Sequence, residues 1–441
     1  MALFHGQKEP RVLFLSVDGR MISNGTSHCS RNVTDSVLNY KSTPQLDAFG
    51  RLRVSSPFTL FDSQQRFGLD ASFRSNVASG GSVTFIPTQS SANLTVTNTT
   101  GSFAARESAY TFRYQPGKSL LTMMTFVMAQ ASPGNTRQRV GYFGTDNGFY
   151  VELANGVELV KRSNVTGTIS FSNVAQTNWN GDKLLGTGPS GLTLNITKAQ
   201  ILWIDMEWLG VGSVRMGFII NGIFIIAHTF HHANLTNSAY ITTACLPVRY
   251  EIQTLNGAAP ATSNLTQICS TVMSEGGATT PLSLYSNLAT FSATIGAATW
   301  VPVISVQLAP GRLDSVCAVK QVEIVITTSG DTVQWALWSN VTAANLTGEN
   351  FLAAPPSTSV LVDKSATAFS ATTCRQIASG IATHGSASAS SVTVFELGQY
   401  FSQIGRDSFT QTSDIFTLAF FNNTSQGAMD AQVLLSWQEL L

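Results

Sequence analysis

Apolar and polar residues alternate with a period of two through much of the chain beyond residue 70. Ser82-Val83-Thr84-Phe85-Ile86 alternates and stops at Pro87, and Leu94-Thr95-Val96-Thr97 repeats the pattern. A period of two sends successive side chains to opposite faces, so each segment reads as a half-buried strand. Ser119 to Met128 (SLLTMMTFVM) is a longer apolar run, compatible with a central strand or a buried helical turn. Gly141 to Glu152 predicts a hairpin turning at Asn147-Gly148 between aromatic residues. The sharpest pattern is Val214 to Ile220, Asn221-Gly222, then Ile223 to Phe230. Asn-Gly between two β-rich runs predicts a type I′ turn, which needs φ > 0 at both central positions. Leu192 to Ile196 also alternates and reads as a strand, so Trp179 to His228 becomes a series of antiparallel strands joined by turns.

Together these segments predict an all-β fold: an extended N-terminal arm, a concanavalin/jelly-roll-like β-sandwich, and a second C-terminal β-sandwich domain. The arm is expected over residues 1–70, where turn formers such as Asp18-Gly19 and Asn24-Gly25 recur without a long periodic segment. Its apolar residues Phe49, Leu52, Val54, Phe58, Leu60 and Phe61 have little local core to enter. They are the candidate assembly residues, expected to lie along the next domain or a neighbouring subunit, where burial contributes about 25 cal/mol per Å². The first sandwich is expected over 71–275, with Asn256 to Ser263 as an excursion at its edge and Glu275-Gly276-Gly277-Ala278 as its boundary. The second spans 280–441, with strands at Val301 to Leu308, Gln321 to Thr327, Thr332 to Trp338, Ile415 to Phe421 and Ala431 to Trp437. Ser379 to Ser391, rich in Ala, Ser and Gly, reads as a loop.

Composition reinforces the pattern. Of 441 residues only 11% are charged, against a usual share of roughly 25%. The polar surface therefore consists largely of Ser, Thr, Asn, Gln and Gly, whose side chains favour strands and turns over helix interiors. Basic and acidic residues balance at 25 each, which argues against electrostatically driven binding of nucleic acid or anionic membrane. A neutral chain also has little self-repulsion, which suits a homo-oligomer or a subunit of a larger assembly. The patch Val12 to Leu15 is too short for a signal h-region, and no stretch approaches the roughly 18 apolar residues of a membrane-spanning helix. Synthesis in a cytosol without membrane insertion is the expectation, and the frequent Asn-x-Ser/Thr sequons are read as chance in an Asn/Ser/Thr-rich chain. Cys29, Cys245, Cys269, Cys317 and Cys374 are widely spaced without a CxxC pair, so they read as buried thiols rather than disulfides or a zinc site.

Candidate chemistry is sparse. Asp205 and Glu207 sit at i and i+2, which on a strand aims both carboxylates at one side, as part of a retaining glycosidase pattern would require. The position two before Asp205 is Trp203, so one carboxylate of that pattern is missing; two solvated acids beside Arg215 or Lys198 are the plainer expectation. Gly186 to Gly191 (GTGPSG) matches GxGxxG, yet it leads into Leu192 to Ile196, which reads as strand rather than helix, so no dinucleotide site is expected. His228, His231 and His232 lack a nearby carboxylate, and surface or core-edge histidines are expected rather than a metal site. His384-Gly385-Ser386 offers no acidic partner, and Arg137 and Arg139 are too isolated for a nucleic-acid patch. Trp179, Trp203, Trp208, Trp335 and Trp338 could stack on sugar rings, with core packing the plainer role for at least one face. The residues point to no catalytic site, cofactor or metal.

Three strings carry a resemblance: Gln45 to Gln64 (QLDAFGRLRVSSPFTLFDSQ), Asn178 to Ile201 (NWNGDKLLGTGPSGLTLNITKAQI) and Trp203 to His228 (WIDMEWLGVGSVRMGFIINGIFIIAH), followed by Leu246 to Ile252 (LPVRYEI). Over about residues 45–275 the chain resembles uncharacterised virion structural proteins of tailed, often marine, bacteriophages. The resemblance implies a non-enzymatic virion component made in the host bacterial cytoplasm and sited on the tail, baseplate, neck or capsid exterior. Other virion proteins would be its partners. An appendage that binds a host receptor or surface glycan through a lectin-like sandwich is the alternative, and a glycan-degrading tail enzyme centred on Asp205 and Glu207 a third reading. The resemblance assigns no functional residue, and the C-terminal unit takes no part in it.

Overall fold

The computed structural model describes residues 14–15, 21–22, 57–129, 135–256, 262–276, 283–328, 331–354, 358–384, 392–397, 403–423 and 427–440. Residues 1–41 and 42–441 form separate units. Within the first, Phe14–Leu15 pairs antiparallel with Met21–Ile22. The second unit has no α-helix among its described residues; apart from three short 3-10 turns its regular structure is strand.

Two sheets form the first sandwich. One runs Ser170–Ala175, Val157–Ser163, Gly148–Leu153, Thr136–Phe143, Val248–Thr254, Phe103–Ser108, Phe73–Ala78 in spatial order. The other runs Ile223–Phe230, Val214–Ile220, Gln200–Met206, Ser119–Met128, Thr262–Glu275, Ser91–Thr97, Ser82–Ile86. Alternation decides the core: Val140, Tyr142, Phe149 and Val151 face Met124, Phe126, Leu202, Ile204 and Met216. Ser119–Met128 is thus a central strand, paired with neighbours on both sides. The Asn221-Gly222 hairpin forms as its sequence predicts, with φ of 54° and 76° at the two positions.

The first sandwich begins at Pro57, which corrects the expected boundary at 71. Pro57–Gln64 pairs antiparallel with the 269–275 half of the long Thr262–Glu275 strand. Ser91–Thr97 reaches only the 262–267 half of that edge, so the remaining backbone groups need another partner. Phe61 is 8% exposed, packing on Phe73 and Phe112 with ring centroids 5.8 and 4.9 Å away. Phe61 is therefore core rather than assembly surface, and Phe58 and Leu60 are half-buried beside it in the same strand. Phe49, Leu52 and Val54 lie outside the described residues.

The second sandwich sets Ser283–Thr294, Ala428–Leu440, Val316–Ile326 and Val392–Glu396 against a sheet ordered Leu352–Ala353, Val360–Asp363, Thr299–Leu308, Ile415–Asn422, Thr332–Val341, Arg375–Thr383. Trp335, Leu418, Phe420, Ile324, Val433 and Trp437 meet in its core. Two expectations change. Residues 379–383 belong to the Arg375–Thr383 strand, not to a loop, because small residues let it close on a tryptophan: a Cβ on Gly380 would lie 2.9 Å from Trp335. Leu192 to Ile196 is a loop with a single Leu185↔Thr193 bridge, not a strand.

Charged residues on the outer face of the seven-stranded sheet tie the two sandwiches together. Arg139 stands opposite Glu152 and Glu251 across its two neighbouring strands, and Arg249 opposite Glu107. Arg249 donates to Glu251 at 2.6 Å and to Glu107 at 3.0 Å, and Arg406 of the second sandwich donates to Glu107 at 2.8 Å. Phe409 lies 4.7 Å from the Arg249 guanidinium, and Arg74 pairs with Asp414. Arg137 donates to Gln253 at 2.8 Å, and Arg139 is drawn into the same ionic ladder.

Candidate functional site

The sequence candidates disperse. Asp205 is the penultimate residue of the Gln200–Met206 strand of the eight-stranded sheet and is fully buried. Its carboxylate accepts from the Arg215 guanidinium, one bond being 3.1 Å from Nε, and from the Ser119 hydroxyl. Arg215 stands directly opposite on the adjacent strand, so register alone creates the pair. Glu207 lies beyond the strand end and is half-buried, so the alternation that would have aligned it with Asp205 stops one residue earlier. Neither acid is the solvated surface residue expected from the pattern.

The glycine-rich loop wraps a carboxylate rather than a phosphate. Asp182 accepts from the backbone N–H of Leu184 at 2.8 Å and of Ser190 at 2.7 Å. Those bonds, with the Ser190 side chain, outweigh the cost of burial and hold the Asp182 carboxyl below its usual range. His228 and His232 are buried and His231 is exposed. His232 Nδ1 lies 2.6 Å from the Gly212 carbonyl oxygen, and its ring stacks on Tyr240 at 3.9 Å. Burial pushes both buried histidines down to about 4. No metal-ligating cluster occurs among the described residues. His384 follows the Arg375–Thr383 strand, while Gly385 and Ser386 lie outside the described residues. Trp179, Trp203, Trp335 and Trp338 are buried; Trp208 is half-buried and packs against the core of the first sandwich. Of the described cysteines, Cys317 is buried and Cys245, Cys269 and Cys374 are partly so; all are free. Burial raises each of these thiols, which keeps them protonated and poorly nucleophilic.

One cleft does bring polar and aromatic side chains together, and its residues are distant in sequence. A cavity of about 620 Å³ lies between loops at one end of the first sandwich and loops of the second. The first contributes Tyr114, Asp146, Asn147, Trp208 and Thr242; the second contributes Arg312, Asp314 and Ser408. Asn147 shapes the rim: its Nδ2 donates to Thr242 at 2.6 Å, and its Oδ1 accepts from the Thr242 and Asn164 amides at 3.2 Å each. The Trp208 ring is fixed by donation from Nε1 to Ile241 O at 3.3 Å and by edge-on packing against Tyr114 at 6.0 Å. Asp314 pairs with Arg406 at 3.1 Å, yet desolvation holds its carboxyl above the usual range; Arg406 opposes the shift, and Glu107 and Asp146 add to it. The only local hints in the sequence are the turns Asp146-Asn147-Gly148 and Pro310-Gly311-Arg312, which do not reveal that they face each other.

No protein-family model and no curated protein matches the chain. Among solved structures, a β-1,3-glucanase from Mycobacterium marinum is similar over 48% of this chain and 98% of its own, at 9% identity and TM-score 0.34. Lectin II from Ulex europaeus is similar over 49% of this chain and 97% of its own, at 13% identity and TM-score 0.31. Arcelin-5, a lectin-like defense protein from Phaseolus vulgaris, is similar over 50% and 99%, at 11% identity and TM-score 0.29. Scores at this level carry no argument about function; the all-β architecture rests on the strands and registers described above.

Proposed function

We propose that this chain is a non-enzymatic structural protein of a tailed-phage particle, sited on the tail, baseplate, neck or capsid exterior. In this reading it joins other virion proteins, or copies of itself, through residues preceding Pro57. The supporting observation is the placement of its ionisable side chains: Asp205 is closed off by Arg215 and Ser119, and Glu107 joins two sandwiches through Arg249 and Arg406. These acids brace strands and domains, which is what a particle subunit requires. The resemblance carried by Gln45 to Gln64 and Asn178 to His228 points the same way. Cryo-electron microscopy of the particle encoding this chain tests the reading, with a variant lacking residues 1–56 alongside. Density packed among particle subunits, lost in the truncated variant, is the expected result. Absence of the chain from purified particles would overturn the reading, and undiminished incorporation of the variant would overturn the role of the segment.

A receptor- or glycan-binding appendage is the second reading, and the inter-sandwich cleft favours it. The cleft combines a half-buried tryptophan with polar side chains from both sandwiches. Adsorption of particles carrying cleft variants tests this reading, with loss of host adsorption at normal particle assembly as the expected outcome.

A further inference from the structure

We infer that the cleft between the two sandwiches is a binding subsite for a neutral, polyhydroxylated ring such as an uncharged hexose unit. The inference rests on the glycan-binding reading above and gives it a place and a ligand class. The cleft's 620 Å³ falls in the range of roughly 300–1,000 Å³ typical of small-molecule sites. A sugar presents an apolar C–H face and a rim of hydroxyl donors, so it needs a flat apolar wall beside hydrogen-bonding groups. Trp208 supplies that wall, held in place by Ile241 and Tyr114. The exposed Asp146 carboxylate hydrogen-bonds to no described residue and is open to accept from two hydroxyls.

Part of the charge in the cleft is already paired. Arg406 is engaged by Glu107 at 2.8 Å and Asp314 at 3.1 Å. The exposed charged groups of the lining are Arg312 and two carboxylates, Asp146 and Asp314, the second of them paired with Arg406. Asp146 and Arg312 hydrogen-bond a neutral polyol from two sides, whereas a sialylated or phosphorylated ring brings a negative charge beside the Asp146 carboxylate. Ser408, 7% exposed on the same wall, carries a hydroxyl without a hydrogen-bond partner among the described residues, a further polar group that this cleft holds in reserve. Because both sandwiches contribute walls, the subsite depends on the contacts that hold them together, the ionic ladder through Glu107 among them.

The test uses the full chain on immobilised neutral bacterial-surface oligosaccharides and on their sialylated and phosphorylated counterparts. Asp146→Ala and Arg312→Ala probe the exposed rim with little risk to folding, and Trp208→Ala probes the wall once thermal unfolding shows that it is folded. The expected result is binding to a subset of neutral sugars, weakened at least tenfold by Asp146→Ala and by Trp208→Ala. Glycan binding that all three variants leave intact would place the site elsewhere and overturn this assignment alone. Preference for the anionic sugars would overturn the ligand class. No binding to any sugar by the wild type, with host adsorption unchanged in all three variants, would overturn both this inference and the reading beneath it.

Discussion

Asp205 shows how a side chain that looks chemical becomes structural. Its charge is buried and balanced by Arg215, so removing it leaves a guanidinium in a site closed to water. Asp205→Asn is expected to destabilise the protein by about 3–5 kcal/mol, whereas replacing both partners by apolar residues of similar volume is expected to recover much of the loss. Chemical denaturation of the single and double variants measures this. His232 makes a different demand. Its Nδ1 faces the Gly212 carbonyl and its Nε2 is buried without a partner, so a second proton there would have no acceptor. Burial, with Lys161 and His231 nearby, takes it from 6.5 to about 4, although the Gly212 contact opposes the shift. The folded-state value is depressed, so the unfolded chain protonates first, and stability present above pH 6.5 drains away as pH falls toward 4. Subtracting the unfolding curves of His232→Gln from those of the wild type isolates this term. A difference that does not change across that interval would show the histidine to be unperturbed.

Strands and turns differ in how openly the chain announces them. The Asn221-Gly222 turn and the alternating strands beside it are set by local backbone preference, so the pattern alone located them. Arg375–Thr383 is the opposite case. Its Ser-Gly-Ile-Ala run resembles a loop, yet Ala378 and Ala382 are buried and Gly380 lets the strand lie against the Trp335 ring. Small residues here record the closeness of a neighbour, which composition cannot distinguish from flexibility. Gly380→Ala is expected to cost about 1–3 kcal/mol through overpacking, read as a lowered unfolding midpoint with the rest of the core intact. The Pro57–Gln64 strand was hidden for a related reason: its partner lies some 200 residues away, at Cys269–Glu275. Nothing within the segment distinguishes a strand that completes a distant edge from an arm that reaches another subunit.

The two sandwiches are joined by charge more than by a shared apolar core. Their main clusters are separate, and the ladder from Glu152 through Arg139, Glu251, Arg249 and Glu107 ends on Arg406 across the junction. Glu107 is the shared acceptor, so Glu107→Gln leaves two buried guanidinium groups short of countercharge. A loss of about 3–5 kcal/mol is expected, expressed as uncoupling of the sandwiches. Calorimetry is expected to resolve two transitions in this variant where the wild type shows one. A single unshifted transition would mean that the ladder does not couple them.

Fold class, most strand positions and the character of the second sandwich follow from the sequence, because a period of two and turn chemistry are local properties of the backbone. Tertiary structure alone decided which charges pair, where the first sandwich begins and which loops share a cleft. The Asp146 charge acts on the Asp314 carboxyl across 168 positions of chain, and Arg215 meets Asp205 only through register. Such meetings depend on how whole sheets are ordered and stacked, and short-range pattern does not encode that order.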